Sequence, residues 1–65
     1  MPIATIEGPP IKDVETKRVL VKEITGALEK AYKLPRQAFV VLIKENPPEN
    51  VGSGGSLIID KHSSR

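Results

Sequence analysis

The chain contains no cysteine and no tryptophan, and has one Phe, one Tyr and one His among its 65 residues. Without cysteine, a disulfide framework and a thiolate metal site are both excluded. His62 sits in the polar stretch KHSSR with no companion ligands, so neither a metal nor a cofactor is expected. Two aromatic rings offer little for base stacking, and a net charge of +2 is too small to argue for a phosphate-backbone binder, so nucleic acid is not an expected partner. No apolar run approaches the roughly 20 residues of a membrane span. The N-terminus lacks a basic region followed by an apolar core, so neither a membrane partner nor an export signal is expected and the cytoplasm is the default compartment. A Ser-His-Asp set, a CxxC pair and an internal repeat are missing as well.

What is present has the size of one domain, residues 1–65, with a polar C-terminal tail from about residue 61. A single copy of this length buries only about 60 % of its unfolded surface and is marginal without help. With disulfides and metals excluded, oligomerisation is the staple that remains.

PIATIE alternates small and β-branched residues and predicts a short strand over about residues 2–7, which GPP at 8–10 then breaks. Asp13 is a plausible N-cap, because its carboxylate can accept from the free amides of a first helical turn. Val14, Leu20, Val21, Ile24, Ala27, Leu28, Ala31 and Tyr32 recur at three- and four-residue spacings, which predicts a helix of roughly 20 residues with one apolar stripe. Gly26 interrupts it and is expected to serve close packing, and Pro35 is expected to end it. AFVVLIKE, residues 38–45, is nearly continuous in apolar character, the pattern of a strand buried on both faces.

Strand, long helix and strand make a βαβ unit with parallel strands. One helix covers one face of that sheet, so another copy of the chain must cover the other. NPPENVGSGGS then reads as a loop, with Gly52, Gly54 and Gly55 supplying turns at positive φ. VGSGGS lacks the lysine and the strand-to-helix context of a phosphate-binding loop. LIID, residues 57–60, is expected to form a short hairpin or edge strand, and KHSSR a frayed polar end.

Chemistry therefore centres on Pro2. A small residue after the initiator methionine favours its removal, which would leave Pro2 with a free secondary amine. Apolar surroundings and nearby cations disfavour the charged amine and lower its pKa toward neutrality. A neutral amine near pH 7 is a general base matched to moving protons next to a carbonyl, and a nucleophile besides.

PIATI, the long helix, the KLPRQ turn, the second strand and the loop ENPPENVGSGG at residues 45–55 resemble the 4-oxalocrotonate tautomerase family, over most of the chain from Pro2 to about Gly55. The loop is similar to that of a subgroup reading ENPPENWGVGG. This resemblance implies an α+β protein with the β-α-β tautomerase (macrophage migration inhibitory factor-like) fold. Its parallel strand pair would be completed by oligomerisation into dimers with four-stranded sheets, and commonly into hexamers as trimers of dimers. It implies an isomerase moving a proton between enol and keto forms of unsaturated 2-oxo acids such as 2-hydroxymuconate, with the mature N-terminal proline as the base and arginines holding the carboxylates.

Carried over by position, Pro2 matches the catalytic proline. Lys12 falls where the family has its first, carboxylate-binding arginine, keeping the charge but not the planar fork. Val40 falls where the family has its second, carbonyl-polarising arginine, and Val51 where it has an aromatic wall. Lys44, on the face of Val40 by the period of two, and Arg36, before that strand, are the two candidates to restore a cation. Two alternatives remain open. One is a catalytically weak or inactive oligomeric module of the same fold. The other is a hydratase or dehalogenase in which Glu7 or Glu45 activates water.

Overall fold

The computed structural model describes residues 1–63. Its first strand, β1, is Ile3–Gly8, and the helix α1 is Val14–Tyr32. A 3-10 turn at Arg36–Ala38 leads into β2, Val40–Glu45, and a second such turn at Pro48–Asn50 precedes a small hairpin of β3, Gly52–Ser53, and β4, Ser56–Leu57. A short helix α2, Ile58–Ser63, follows.

β1 and β2 pair in parallel, in the register Ile3 opposite Val40 through Gly8 opposite Glu45. One further bond continues the ladder at each end, before β1 and after β2. The Val40 N–H donates to the Pro2 carbonyl at 3.1 Å, and the Asn46 N–H donates to the Gly8 carbonyl at 2.8 Å. Proline is tolerated at position 2 because the bond made there uses its carbonyl and requires no donor. β2 is shorter than expected at its start, since residues 36–38 are wound into the 3-10 turn.

Asp13 caps α1 as expected: its carboxylate accepts from the Glu15 N–H at 3.2 Å and from the Thr16 hydroxyl at 3.1 Å. The C-terminal end is set earlier than Pro35. Lys33 adopts the left-handed conformation, φ 57°, and its N–H donates to the Glu29 carbonyl at 2.8 Å. The proline two residues on then prevents the helix from resuming.

α1 lies across one face of the sheet, and Leu20, Val21, Ile24 and Leu28 are half-buried there with Ala4, Ile6, Val41 and Ile43. Thr25, 8 % exposed, is the only buried side chain among the described residues. Val14, Ala27, Ala31 and Tyr32, assigned to the apolar stripe by spacing, are exposed in the single chain. Gly26 does not serve close packing within the chain, because a Cβ built there meets nothing within 4 Å.

The opposite face of the sheet is bare. Ile3, Thr5 and Leu42 project from it and are exposed, Ile3 at 55 % and Leu42 at 44 %. A strand expected to be covered on both sides is therefore covered on one.

Three expectations about the C-terminal part are corrected. Only Leu57 of LIID is in a strand, and residues 58–60 begin helix α2, which runs on through the first residues of the expected frayed tail. Residues 64 and 65 of that tail lie outside the described residues. Gly54 and Gly55 do take positive φ, 63° and 88°, in the two-residue turn between β3 and β4, but Gly52 does not. Two successive positive-φ residues are what a type I′ hairpin turn requires.

Candidate active site

The two ends of the sheet carry different chemistry. Pro2 lies at the amino end of β1, beside the start of β2, where Phe39 and Val40 sit. The Tyr32 and Phe39 rings pack there with centroids 6.0 Å apart and planes at 51°, joining the end of α1 to the start of β2. Arg36 is at this end too, but its guanidinium is already engaged with the Glu29 carboxylate at 3.0 Å. The chain neighbours of Pro2 across the sheet are thus apolar, and the Arg36 cation at this end has a partner.

Lys12, Lys44 and Val51 belong to the other end. Lys44 is in register with Glu7, five residues from Pro2, which is about 17 Å along a strand. It shares a face with Val40, as the period of two requires, yet stands about 13 Å further along β2. Lys12 lies in the loop between Gly8 and Val14 and is exposed. Val51 is half-buried; its carbonyl accepts from the Ile58 N–H at 2.8 Å, pinning the start of α2.

At this second end an apolar groove of about 560 Å³ opens between the close of β1 and the C-terminal arm, lined by Glu7, Gly8, Pro9, Asn46, Pro48, Val51 and Ile58. Val51 contributes apolar surface to this groove. One chain therefore holds the candidate base at one end, and the candidate carboxylate binder and the wall at the other. No side-chain movement bridges that gap, so Pro2 of one copy can meet Lys12 and Val51 only if they come from another copy.

The two glutamates considered as water activators are both engaged. Glu7 accepts from the Asn46 side-chain amide at 3.4 Å. One Glu45 carboxylate oxygen accepts from the Ile11 N–H at 2.8 Å and lies 2.9 Å from the Lys17 ammonium. The hydrogen bond from Lys17, then that from Ile11, hold the Glu45 carboxyl below its ordinary value of 4.5, against a smaller opposing effect of desolvation. A carboxylate so stabilised is a weaker base, which weighs against the water-activating role. This cluster joins residues 11, 17 and 45, and no local pattern in the sequence signals it.

Among the described residues there is no group of His, Asp and Glu able to hold a metal ion. No helix among them is long and apolar enough to cross a membrane.

A parallel strand pair, one long crossover helix and a C-terminal hairpin, with a proline at the open start of the first strand, define a small α+β protein of the β-α-β tautomerase type. The family profile described as Tautomerase enzyme matches residues 2–61, and the chain belongs to that family. Among solved structures it is similar to DmpI from Archaeoglobus fulgidus, at 42 % identity over 91 % of this chain and all of that one, with a TM-score of 0.79. A 4-oxalocrotonate tautomerase isozyme from Methylibium petroleiphilum is 31 % identical over 98 % of this chain and all of its own, with a TM-score of 0.77. A heterohexameric 4-oxalocrotonate tautomerase from Chloroflexus aurantiacus shares the fold, with a TM-score of 0.78 at 23 % identity over 92 % of this chain and 97 % of that one. Among curated proteins no significant match was found.

Proposed function

We propose that the chain is a single-domain cytoplasmic isomerase that interconverts enol and keto forms of an unsaturated 2-oxo acid such as 2-hydroxymuconate, with the mature N-terminal Pro2 as general base. The observation that carries this reading is the way Pro2 is used. The sheet takes only its carbonyl, so its nitrogen has no structural duty and becomes a free secondary amine once Met1, 82 % exposed in the single chain, is removed. The amine takes the proton from the 2-hydroxyl, the oxygen's electrons form the carbonyl as the conjugated double bonds shift, and the resulting ammonium returns the proton to carbon. Nothing is gained or lost overall. Apolar neighbours such as Phe39 and Val40 favour the neutral amine that this cycle needs near pH 7.

The other residues act from a second copy. Lys12 binds a substrate carboxylate, Val51 closes the site against water, and Lys44, in register with the groove residue Glu7, supplies a further cation. Arg36 serves only if it leaves Glu29. Val40, in place of an arginine, leaves the carbonyl without its usual partner beside Pro2, which favours a slow enzyme over a fast one. The assembly is a homo-oligomer, a hexamer built as a trimer of dimers.

The test joins intact mass spectrometry with a 2-hydroxymuconate ketonisation assay. With Met1 absent, the protein should accelerate ketonisation, and Pro2→Ala should lower kcat/KM by about two orders of magnitude or more, the typical loss on removing a general base. A correctly processed, assembled protein with no turnover would instead favour the inactive module, for which the Val40 substitution is the supporting observation.

A further inference from the structure

The loop that carries Lys12 is tied down by a carboxylate from the far end of β2. It leaves β1 at Gly8, whose carbonyl is held by Asn46, and enters α1 at the Asp13 cap. Pro9 and Pro10 stiffen its first half by fixing their φ angles, so the freedom that remains lies at Ile11 and Lys12. There the Ile11 N–H donates to Glu45 at 2.8 Å. Glu45 is in register with Gly8 on the helix-facing side of β2, so its carboxylate reaches the angle between the loop and the first turns of α1. Lys44 before it faces the other way.

Lys17 completes the arrangement. Its ammonium lies 2.9 Å from the Glu45 oxygen that Ile11 uses. A carboxylate one residue from Lys12 would otherwise compete with a substrate for the Lys12 charge, and Lys17 neutralises it. Asp13 is committed to the helix cap and Glu7 to Asn46, so neither draws Lys12. Among the described residues Lys12 has no ion-pair partner.

We propose that Glu45, with Lys17, is a positioning residue that fixes the loop at Ile11 so that the neighbouring Lys12 ammonium is presented, unpaired, to a substrate carboxylate. The inference rests on the tautomerase reading above.

Binding and turnover should be measured separately on the full-length, assembled protein. Adipate, a saturated dicarboxylate that cannot react, serves as the binding probe by calorimetry, and 2-hydroxymuconate as the substrate. Glu45→Ala removes both the acceptor that holds Ile11 and the charge that recruits Lys17. It should raise the adipate Kd and the KM by about three- to tenfold, the scale of one lost hydrogen bond, while kcat stays within about twofold. In a Lys12→Ala background the same change should add nothing to the Kd. An unchanged Kd in Glu45→Ala, where Lys12→Ala weakens binding, would overturn the proposal. So would an equal loss in the Lys12→Ala background, because the effect would then be general destabilisation. Should Glu45→Ala fail to assemble, Lys17→Met, which leaves the Glu45 carboxylate without its neutralising partner beside Lys12, should weaken adipate binding in the same way and carries the same comparison. Pro2→Ala kinetics keep the two ideas apart: loss of kcat on Pro2→Ala with a Kd insensitive to Glu45 sinks only the positioning role, whereas turnover indifferent to Pro2 sinks the tautomerase reading, and the titrations still judge Glu45.

Discussion

Position 2 and position 33 show how much a single backbone site can decide. At position 2 the ladder bond runs into a carbonyl, so a proline fits without loss. At position 33 the helix terminates in a left-handed residue that is not glycine, a conformation costing an L-residue about 1–2 kcal/mol. Replacement by glycine relieves that strain, offset in part by the greater freedom of the unfolded chain. Lys33→Gly should therefore stabilise the protein by about 0.5–1 kcal/mol, read as a higher thermal midpoint at fixed chain concentration. The Asp13 cap was legible from residue type and place alone. Lys33 was not, because the sequence offers Pro35 as the conspicuous stop and nothing marks the residue that turns left-handed before it.

Between elements, the contact that matters most is the one from β2 to the loop and first turns of α1. Glu45 is charged in the folded protein at pH values where a free glutamate begins to protonate, since Lys17 and the Ile11 amide favour the carboxylate. Its folded pKa is depressed, so its contribution is fully present above the ordinary value of 4.5 and is lost as pH falls through the lower folded pKa. The difference in thermal midpoint between wild type and Glu45→Gln should be largest near neutrality and shrink as the buffer is taken below that value. A constant difference across the acid range would show that the carboxylate's charge contributes nothing. The long helix and the β2 strand were readable here because each repeats its signal over many residues. α2 was not: LIID is too short for its periodicity to separate strand from helix, and its helical start is held by the tertiary bond from Ile58 to Val51.

For the whole molecule, the dimensions tell against a solitary chain. The radius of gyration is 15.6 Å, whereas a compact chain of this length should have about 11 Å, and the extents are 47 × 24 × 14 Å. No apolar side chain among the described residues is fully buried. A bare sheet face, two open strand edges and an arm standing off the sheet make up surface that a second copy would cover. Folding and association should therefore be one process, and the thermal midpoint should rise with chain concentration, accompanied in sedimentation by a mass that is a multiple of 7.1 kDa. A concentration-independent midpoint with a monomeric mass would contradict this. The amino-acid sequence by itself determined the β-α-β order, the parallel pairing and the Asp13 cap, because periodicity and capping chemistry are local properties. Only the tertiary structure decided that Pro2 and Lys12 stand at opposite ends of the sheet, that Arg36 is engaged by Glu29, and that Glu45 reaches back to Ile11 and Lys17. Those facts depend on strand direction and on contacts between residues far apart in the chain, which no short stretch of sequence encodes.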